Sequence, residues 1–199
     1  MTDACSSLSA RTSIYVNENV DELDLAQALA EISPARREYA LRYRFERDRR
    51  LSVAVYLLLK EGLRKEFGIE ENPVLASGPN GKPFLADHPE IHFSFSHCSS
   101  AAACALASSP VGIDVETIAP VDWAVAAEAL SPDELREVRG AERPDIAFAR
   151  YWTMKEALVK LRGETLGDRR LPDLLSEVKS ERFETRIAAR YVLSVAAAR

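Results

Sequence analysis

Two carboxylates alternate in the segment Gly112-Ile113-Asp114-Val115-Glu116. In a strand, side chains two apart share a face, so Asp114 and Glu116 point one way and Ile113 and Val115 the other. Carboxylates ~7 Å apart along a strand repel each other unless a cation sits between them. Oxygen-only ligands suit Mg2+, which takes one or two protein carboxylates and fills its shell with water and phosphate oxygens. Alone, the pattern equally fits a strand with one solvated face.

A second group lies in Trp152-Thr153-Met154-Lys155-Glu156-Ala157-Leu158-Val159-Lys160. On a helix, Tyr151, Met154, Leu158 and Leu161 form an apolar stripe expected to pack on a sheet. Glu156 projects nearly opposite, with Lys155 and Lys160 on either side. If that face were open to water, Glu156 and Lys160 would be an ordinary surface pair. Trp152 and Val159 beside Glu156 argue that it is covered, and a covered carboxylate between lysines suits a metal-bound phosphate. A third group is the turn Gly81-Lys82-Pro83, followed by Ser96-His97 at a strand end. Such a turn can set backbone N–H groups and an ammonium against a phosphate. The arginine-rich stretch from Arg36 to Arg50 is interleaved with Glu38, Glu46 and Asp48 and reads mainly as a solvated helix face.

These groups need elements to hold them. Residues 12–16 read as a first strand. Ser33-Pro34 opens a helix, with Ser as N-cap and Pro in the first turn. Residues 48–67 carry Leu51, Val55, Leu58, Leu59 and Leu63 at helical spacing and stop at Gly68. Ile91, Phe93 and Phe95 alternate with His92, Ser94 and Ser96 in a half-buried strand. Residues 101–107 pair with it, and residues 111–116 form a further strand. Ser131-Pro132 starts a helix, residues 144–161 form another that breaks at Gly163 and Gly167, and residues 181–187 and 191–196 close the chain as a hairpin. The sum is α+β with mainly antiparallel strands.

Composition bounds the function. The chain has 199 residues and a net charge of −5, from 26 Lys+Arg against 31 Asp+Glu. An acidic balance argues against a nucleic-acid partner. No apolar run is long enough to span a bilayer, and the first residues do not form a signal peptide. The three cysteines then read as free thiols in a reducing cytoplasm. Cys98, Cys104, His92 and His97 match no usual zinc-ligand spacing.

In chain order the groups are Gly-Lys-Pro, His-Phe-Ser-Phe-Ser-His, Val-Gly-Ile-Asp-Val-Glu, then Trp-Thr-Met-Lys-Glu-Ala with a lysine one turn on. From about Ile32 to Leu166 the chain resembles the Sfp-type 4'-phosphopantetheinyl transferases. The resemblance implies two similar α+β halves, 1–109 and 110–199, related by a pseudo-twofold axis, with coenzyme A in the cleft between them. It implies Mg2+-dependent transfer of phosphopantetheine to a serine of an apo acyl or peptidyl carrier protein, releasing adenosine 3',5'-bisphosphate. A monomer follows from the pseudo-dimeric fold. By this resemblance Asp114, Glu116 and Glu156 are the Mg2+ ligands. Lys155 and Lys160 face the pyrophosphate and reacting region with Glu156. Arg36, Gly81, Lys82, Pro83, Ser96 and His97 line the coenzyme A site, with Arg36 near the 3'-phosphate. Glu156, neutral Lys160 or a water on the ion are each able to take the serine proton. A homologue that only binds coenzyme A or a partner is the alternative. Two positions depart from the family pattern: Ser94 stands where Asn is common, and Thr165 where Gly is expected.

Overall fold

A computed structural model describes residues 12–165, 167, 170–178 and 180–198. The elements in order are β1 (Ser13–Asn17), α1 (Leu25–Glu31), α2 (Pro34–Leu41), α3 (Glu46–Phe67), β2 (Leu75–Ser77), β3 (Pro83–Leu85), β4 (His92–His97), β5 (Ala102–Ala107) and β6 (Val111–Thr117). Then follow α4 (Trp123–Ala129), α5 (Pro132–Gly140), α6 (Pro144–Arg162), a 3-10 helix over Leu171–Glu177, β7 (Arg182–Ile187) and β8 (Tyr191–Ala197). The chain is α+β, as its pattern predicts. Helix starts follow local chemistry: the Ser33 hydroxyl accepts from the Arg36 N–H, and Ser131 and Glu134 close a reciprocal capping box.

Two antiparallel sheets carry the fold, ordered β1-β5-β4 and β6-β8-β7. Each follows strand, long helix, strand, strand, with the last strand central: β1-α3-β4-β5 and β6-α6-β7-β8. α3 covers the outer face of the first sheet, where Leu59, Leu63, Phe93, Cys104 and Leu106 make one core. The inner face of β5 carries Ala103, Ala105 and Ala107, which pack against Ile113, Val115, Leu193 and Val195 of the second sheet. The period of two therefore gives β5 two cores, one per face.

Hydroxyl groups stitch β4 to β6 alongside this core. Ser94 Oγ accepts from the Ile113 N–H at 3.1 Å, Ser96 Oγ donates to Asp114 Oδ1 at 2.7 Å, and the Ser99 and Thr117 hydroxyls meet at 2.7 Å. Ser94 thus has a defined task at the position where it departs from the family pattern.

The expected packing of α6 is corrected. The Tyr151, Met154, Leu158, Leu161 stripe does not lie as a unit on the second sheet. Leu158 and Leu161 do pack with the sheet residues Ala196 and Phe183, and with Leu174, whereas Tyr151 packs in a separate cluster with Leu135 and Val138. Thr153 and Ala157 meet the sheet as well: Thr153 Oγ1 lies 2.8 Å from Ser194 Oγ, and the Ala157 backbone crosses Gly112. Residues of small volume let helix and strand approach closely at that crossing. The expected strand 12–16 and helix 48–67 appear with shifted ends, whereas α1, α4 and the short β2–β3 hairpin have no strong periodic signal. Cys98 and Cys104 are free and buried; Cys5 and Leu166 lie outside the described residues.

Candidate active site

Gly112, Asp114 and Glu116 alternate onto the face of β6 that α6 covers. At Gly112 an added Cβ would lie 2.0 Å from the Ala157 carbonyl oxygen and 2.4 Å from the Leu161 nitrogen. The absence of a side chain there lets the helix sit on the strand. Ala157 turned to the strand leaves Trp152, Glu156 and Lys160, spaced at i and i+4, along the rim beside Asp114 and Glu116.

That rim is one wall of a cavity of about 960 Å3. β6 and α6 supply Asp114, Val115, Glu116, Trp152, Glu156 and Lys160. The opposite wall comes from the first half: Arg36, Tyr39, Tyr43, Ser52 and Tyr56, residues 73–77, Gly81, Pro83, Phe95, Ser96 and His97. The predicted residues Arg36, Gly81, Pro83, Ser96, His97, Asp114, Glu116, Glu156 and Lys160 therefore share one cleft.

The carboxylates are held without closing on a point. Lys160 Nζ donates to Asp114 Oδ1 at 2.6 Å and to Ser96 Oγ at 3.2 Å. Glu116 Oε1 accepts from the Thr117 N–H at 2.9 Å. Among the described residues, no group of three or more His, Cys, Asp or Glu side chains is drawn together to hold an ion. The expectation that all three carboxylates already meet is corrected: the Lys160 ammonium supplies the positive charge beside Asp114. The site nevertheless fits a cation. Asp114 Oδ2 is buried without a hydrogen-bond partner among the described residues. Burial, then repulsion from Asp114, pushes the Glu156 carboxyl above the usual range, with Glu116 adding to the rise. Burial and Asp114 push Glu116 up as well. Burial and then Lys160 hold His97 below the usual histidine range. A hard divalent ion would relieve the mutual repulsion of these carboxylates.

At the other end, Arg36 Nη2 donates to the Ser52 carbonyl at 2.6 Å and to Ser52 Oγ at 2.9 Å. Its guanidinium lies 4.7 Å from the Tyr39 ring centroid and 5.5 Å from that of Tyr56. Its Nε is buried and has no partner among the described residues. Arg49 and Arg50 instead donate to the carbonyls of Tyr43 and Leu23.

Two lysines are placed otherwise than expected. Lys155 is 1% exposed and lies outside the cleft wall. Its Nζ donates to Glu134 Oε2 at 2.7 Å and to the Leu171 carbonyl at 2.6 Å. The same Glu134 carboxylate caps the start of α5 and draws the ammonium to the far side of α6, so Lys155 does not face the reacting region. Lys82 Nζ donates to the Val111 carbonyl at 3.1 Å and the Leu161 carbonyl at 3.4 Å, behind the turn whose Gly81 and Pro83 line the cleft.

Comparison with known proteins follows this division. Residues 19–111 match the family described as 4'-phosphopantetheinyl transferase, N-terminal, and residues 110–193 match the 4'-phosphopantetheinyl transferase superfamily. The chain belongs to the 4'-phosphopantetheinyl transferase superfamily. It is similar to the 4'-phosphopantetheinyl transferase psf-1 of Bacillus pumilus, with 34% identity over 67% of this chain and 58% of the relative. Similarity extends to the 4'-phosphopantetheinyl transferase Sfp of Bacillus subtilis (strain 168), 26% identical over 77% of this chain and 70% of the relative. The 4'-phosphopantetheinyl transferase HetI of a Nostoc strain is 32% identical over 71% of this chain and 62% of its own length. The matched region thus spans less than two thirds of the B. pumilus and Nostoc proteins.

Superfamily membership explains the motif order but not every wall residue. Tyr39, Tyr43, Tyr56 and Trp152 line the cleft, yet only Trp152 stood within a recognised string. The spacing of Arg36, Tyr39 and Tyr43, one helical turn apart each, was the available signal. Thr165 does not take a left-handed backbone; Gly163, at φ 66°, makes that turn. No described helix is long and apolar enough to cross a membrane.

The burial of Lys155 has a measurable consequence. Lys155→Met strands the Glu134 carboxylate, whose side chain is 12% exposed. Breaking one partner of a buried pair costs about 3 kcal/mol or more. Denaturant titration should show that loss, and calorimetry should leave coenzyme A affinity of the folded variant within about twofold, since no cleft contact is removed.

Proposed function

We propose that this protein transfers the 4'-phosphopantetheine group of coenzyme A to a serine of an apo acyl or peptidyl carrier protein. One observation carries the reading. Asp114 Oδ2, an acceptor, and Arg36 Nε, a donor, are buried without partners among the described residues, and both residues line the same cleft. The cleft therefore wants a cation at one end and an anion at the other. Coenzyme A with a divalent ion offers both: a metal-binding pyrophosphate and a separate 3'-phosphate. The shared topology of the two sheets supports a pseudo-twofold relation between halves 1–109 and 110–199, with the monomer as the working unit.

In this reading Asp114, Glu116 and Glu156 hold Mg2+. The ion, when bound, supplies charge neutralisation at the pyrophosphate as its bond to the leaving group breaks. Arg36, between Tyr39 and Tyr56, binds the 3'-phosphate. Gly81, Pro83, Ser96 and His97 form the wall along which the nucleotide lies. The Lys160 ammonium, already at the Asp114 end, faces the pyrophosphate. The carrier serine attacks the β-phosphorus, a new P–O bond forms, and the bond to adenosine 3',5'-bisphosphate breaks. Glu156, which lines the cleft beside Lys160, takes the serine proton on an oxygen that the ion leaves free.

The test is mass spectrometry of acidic apo-carrier proteins after incubation with this chain, Mg2+ and coenzyme A. A Mg2+-dependent gain of one phosphopantetheine on a serine is expected. Coenzyme A binding with no gain on any carrier would instead favour a binding protein of the same fold.

A further inference from the structure

The side chain of Lys82 is half-buried and, among the described residues, has no carboxylate at ion-pair distance. A cation withdrawn from water without a counter-charge is costly and needs compensation. Here the partners are carbonyl oxygens of Val111, at the start of β6, and Leu161, in the last turn of α6. The last carbonyls of a helix are free of intrahelical partners and carry its negative partial charge. Asn80, from the same turn, adds a second tie: its Nδ2 donates to the Gly163 carbonyl at 2.9 Å. The turn itself is shaped by Gly81 at φ 80° and closed by the Gly81 N–H on the Gly78 carbonyl at 3.0 Å.

We propose that Lys82 is a positioning residue rather than a phosphate ligand: it straps the Gly81–Pro83 turn of the first half to the C-terminal end of α6 in the second. The turn faces the cleft through Gly81 and Pro83, and α6 faces it through Glu156 and Lys160. The strap joins the two walls beside the cleft, at an adjoining recess of about 210 Å3 that Lys82 lines with Phe95 and Lys160. Lys160 lies one residue before the carbonyl that Lys82 grips, so tension in the turn reaches the helix that carries the proton acceptor. Occupancy of the turn by ligand then steadies the end of α6, and loosening the strap lets that end fray away from Asp114.

This inference rests on the functional reading above, and its test separates the two. The full-length chain would be compared with Lys82→Met and Lys82→Arg, using adenosine 3',5'-bisphosphate as the probe. In hydrogen exchange without ligand, amides of residues 159–163 should exchange about tenfold faster in Lys82→Met, as an unpinned helix end opens more often. In the native chain the probe should slow exchange in that same turn; in Lys82→Met it should slow exchange only along the first-half wall. The salt dependence of probe binding should be the same in both, because no phosphate contact is lost. With coenzyme A and a carrier, kcat should fall about tenfold with KM for coenzyme A nearly unchanged, and Lys82→Arg, which can reach both carbonyls, should restore much of it. A weaker salt dependence with a large rise in KM would overturn the proposal and make Lys82 a phosphate ligand. Unchanged exchange at 159–163 would overturn it outright. A native chain that neither binds the probe nor modifies a carrier defeats the functional reading, while the ligand-free exchange comparison still decides the strap.

Discussion

Gly112→Ala should destabilise the protein by about 3 kcal/mol or more, lowering Tm by roughly 6–12 °C for a chain of this size. The added methyl would sit 2.0 Å from the Ala157 oxygen and 2.4 Å from the Leu161 nitrogen, and both are backbone atoms. No rotamer change relieves a backbone clash, so α6 must lift from β6. Lifting it separates Glu156 and Lys160 from Asp114 and Glu116, so activity should fall further than the folded fraction does. Circular dichroism melting alongside carrier modification at a temperature where the variant is folded would check this. A variant with native Tm would mean that α6 and β6 are not in the contact described.

Asp114→Asn should leave the fold nearly intact and remove at least about 99% of transfer. The amide keeps an oxygen for Ser96 but loses the charge that faces both Lys160 and a bound ion. Native protein should gain Tm when Mg2+ and coenzyme A are added together, by mass action on the folded state. The variant should lose most of that gain. The metal effect should also depend on pH with a definite sign. Glu116 and Glu156 have folded pKa values raised by burial and then by Asp114. Without metal, the native state holds their protons more tightly than the unfolded chain. Their contribution to stability is present at acid pH and lost as pH rises through the raised values. Protons and Mg2+ compete for the same oxygens, so the Mg2+-induced rise in Tm should grow over the same interval. Melting curves across that range, with and without Mg2+, test it, and a metal effect that is flat or larger at acid pH would count against these ligands.

What the sequence disclosed, and what it did not, follows from the range of the forces involved. Asp114, Glu116 and Glu156 were legible because strand and helix periods fix which side chains share a face. Ser33, Ser131 and Gly163 were legible because caps are local chemistry. The destination of a long flexible side chain was not. Lys155 and Lys82 stand in the expected motif, yet one reaches back to Glu134 and the other across to carbonyls of the opposite half. Those partners lie 21 and 29 residues away, and nothing in the local period announces them. The sheet-facing side of α6 was legible only in part, at Leu158 and Leu161, for a related reason. The larger apolar stripe is the stronger signal, whereas the face that meets β6 was chosen by the small size of Gly112 and Ala157. The tyrosines of the first-half wall belong to no motif and are assembled only by the packing of α2 on α3.

The inner face of β5 acts as a spacer for the cleft. Ala103 stands in register with Ser96, and Ala105 with Ser94, the serines that reach across to β6. The hydroxyl-to-carboxylate and hydroxyl-to-amide contacts therefore depend on β5 adding no more than a methyl group per residue to the layer between the sheets. A strand with no contact to the cleft thus sets the gauge of the reaction site. Evolution can alter what the walls recognise by changing Tyr39, Tyr43 or Trp152, but it cannot widen the gap at β5 without parting Ser96 from Asp114.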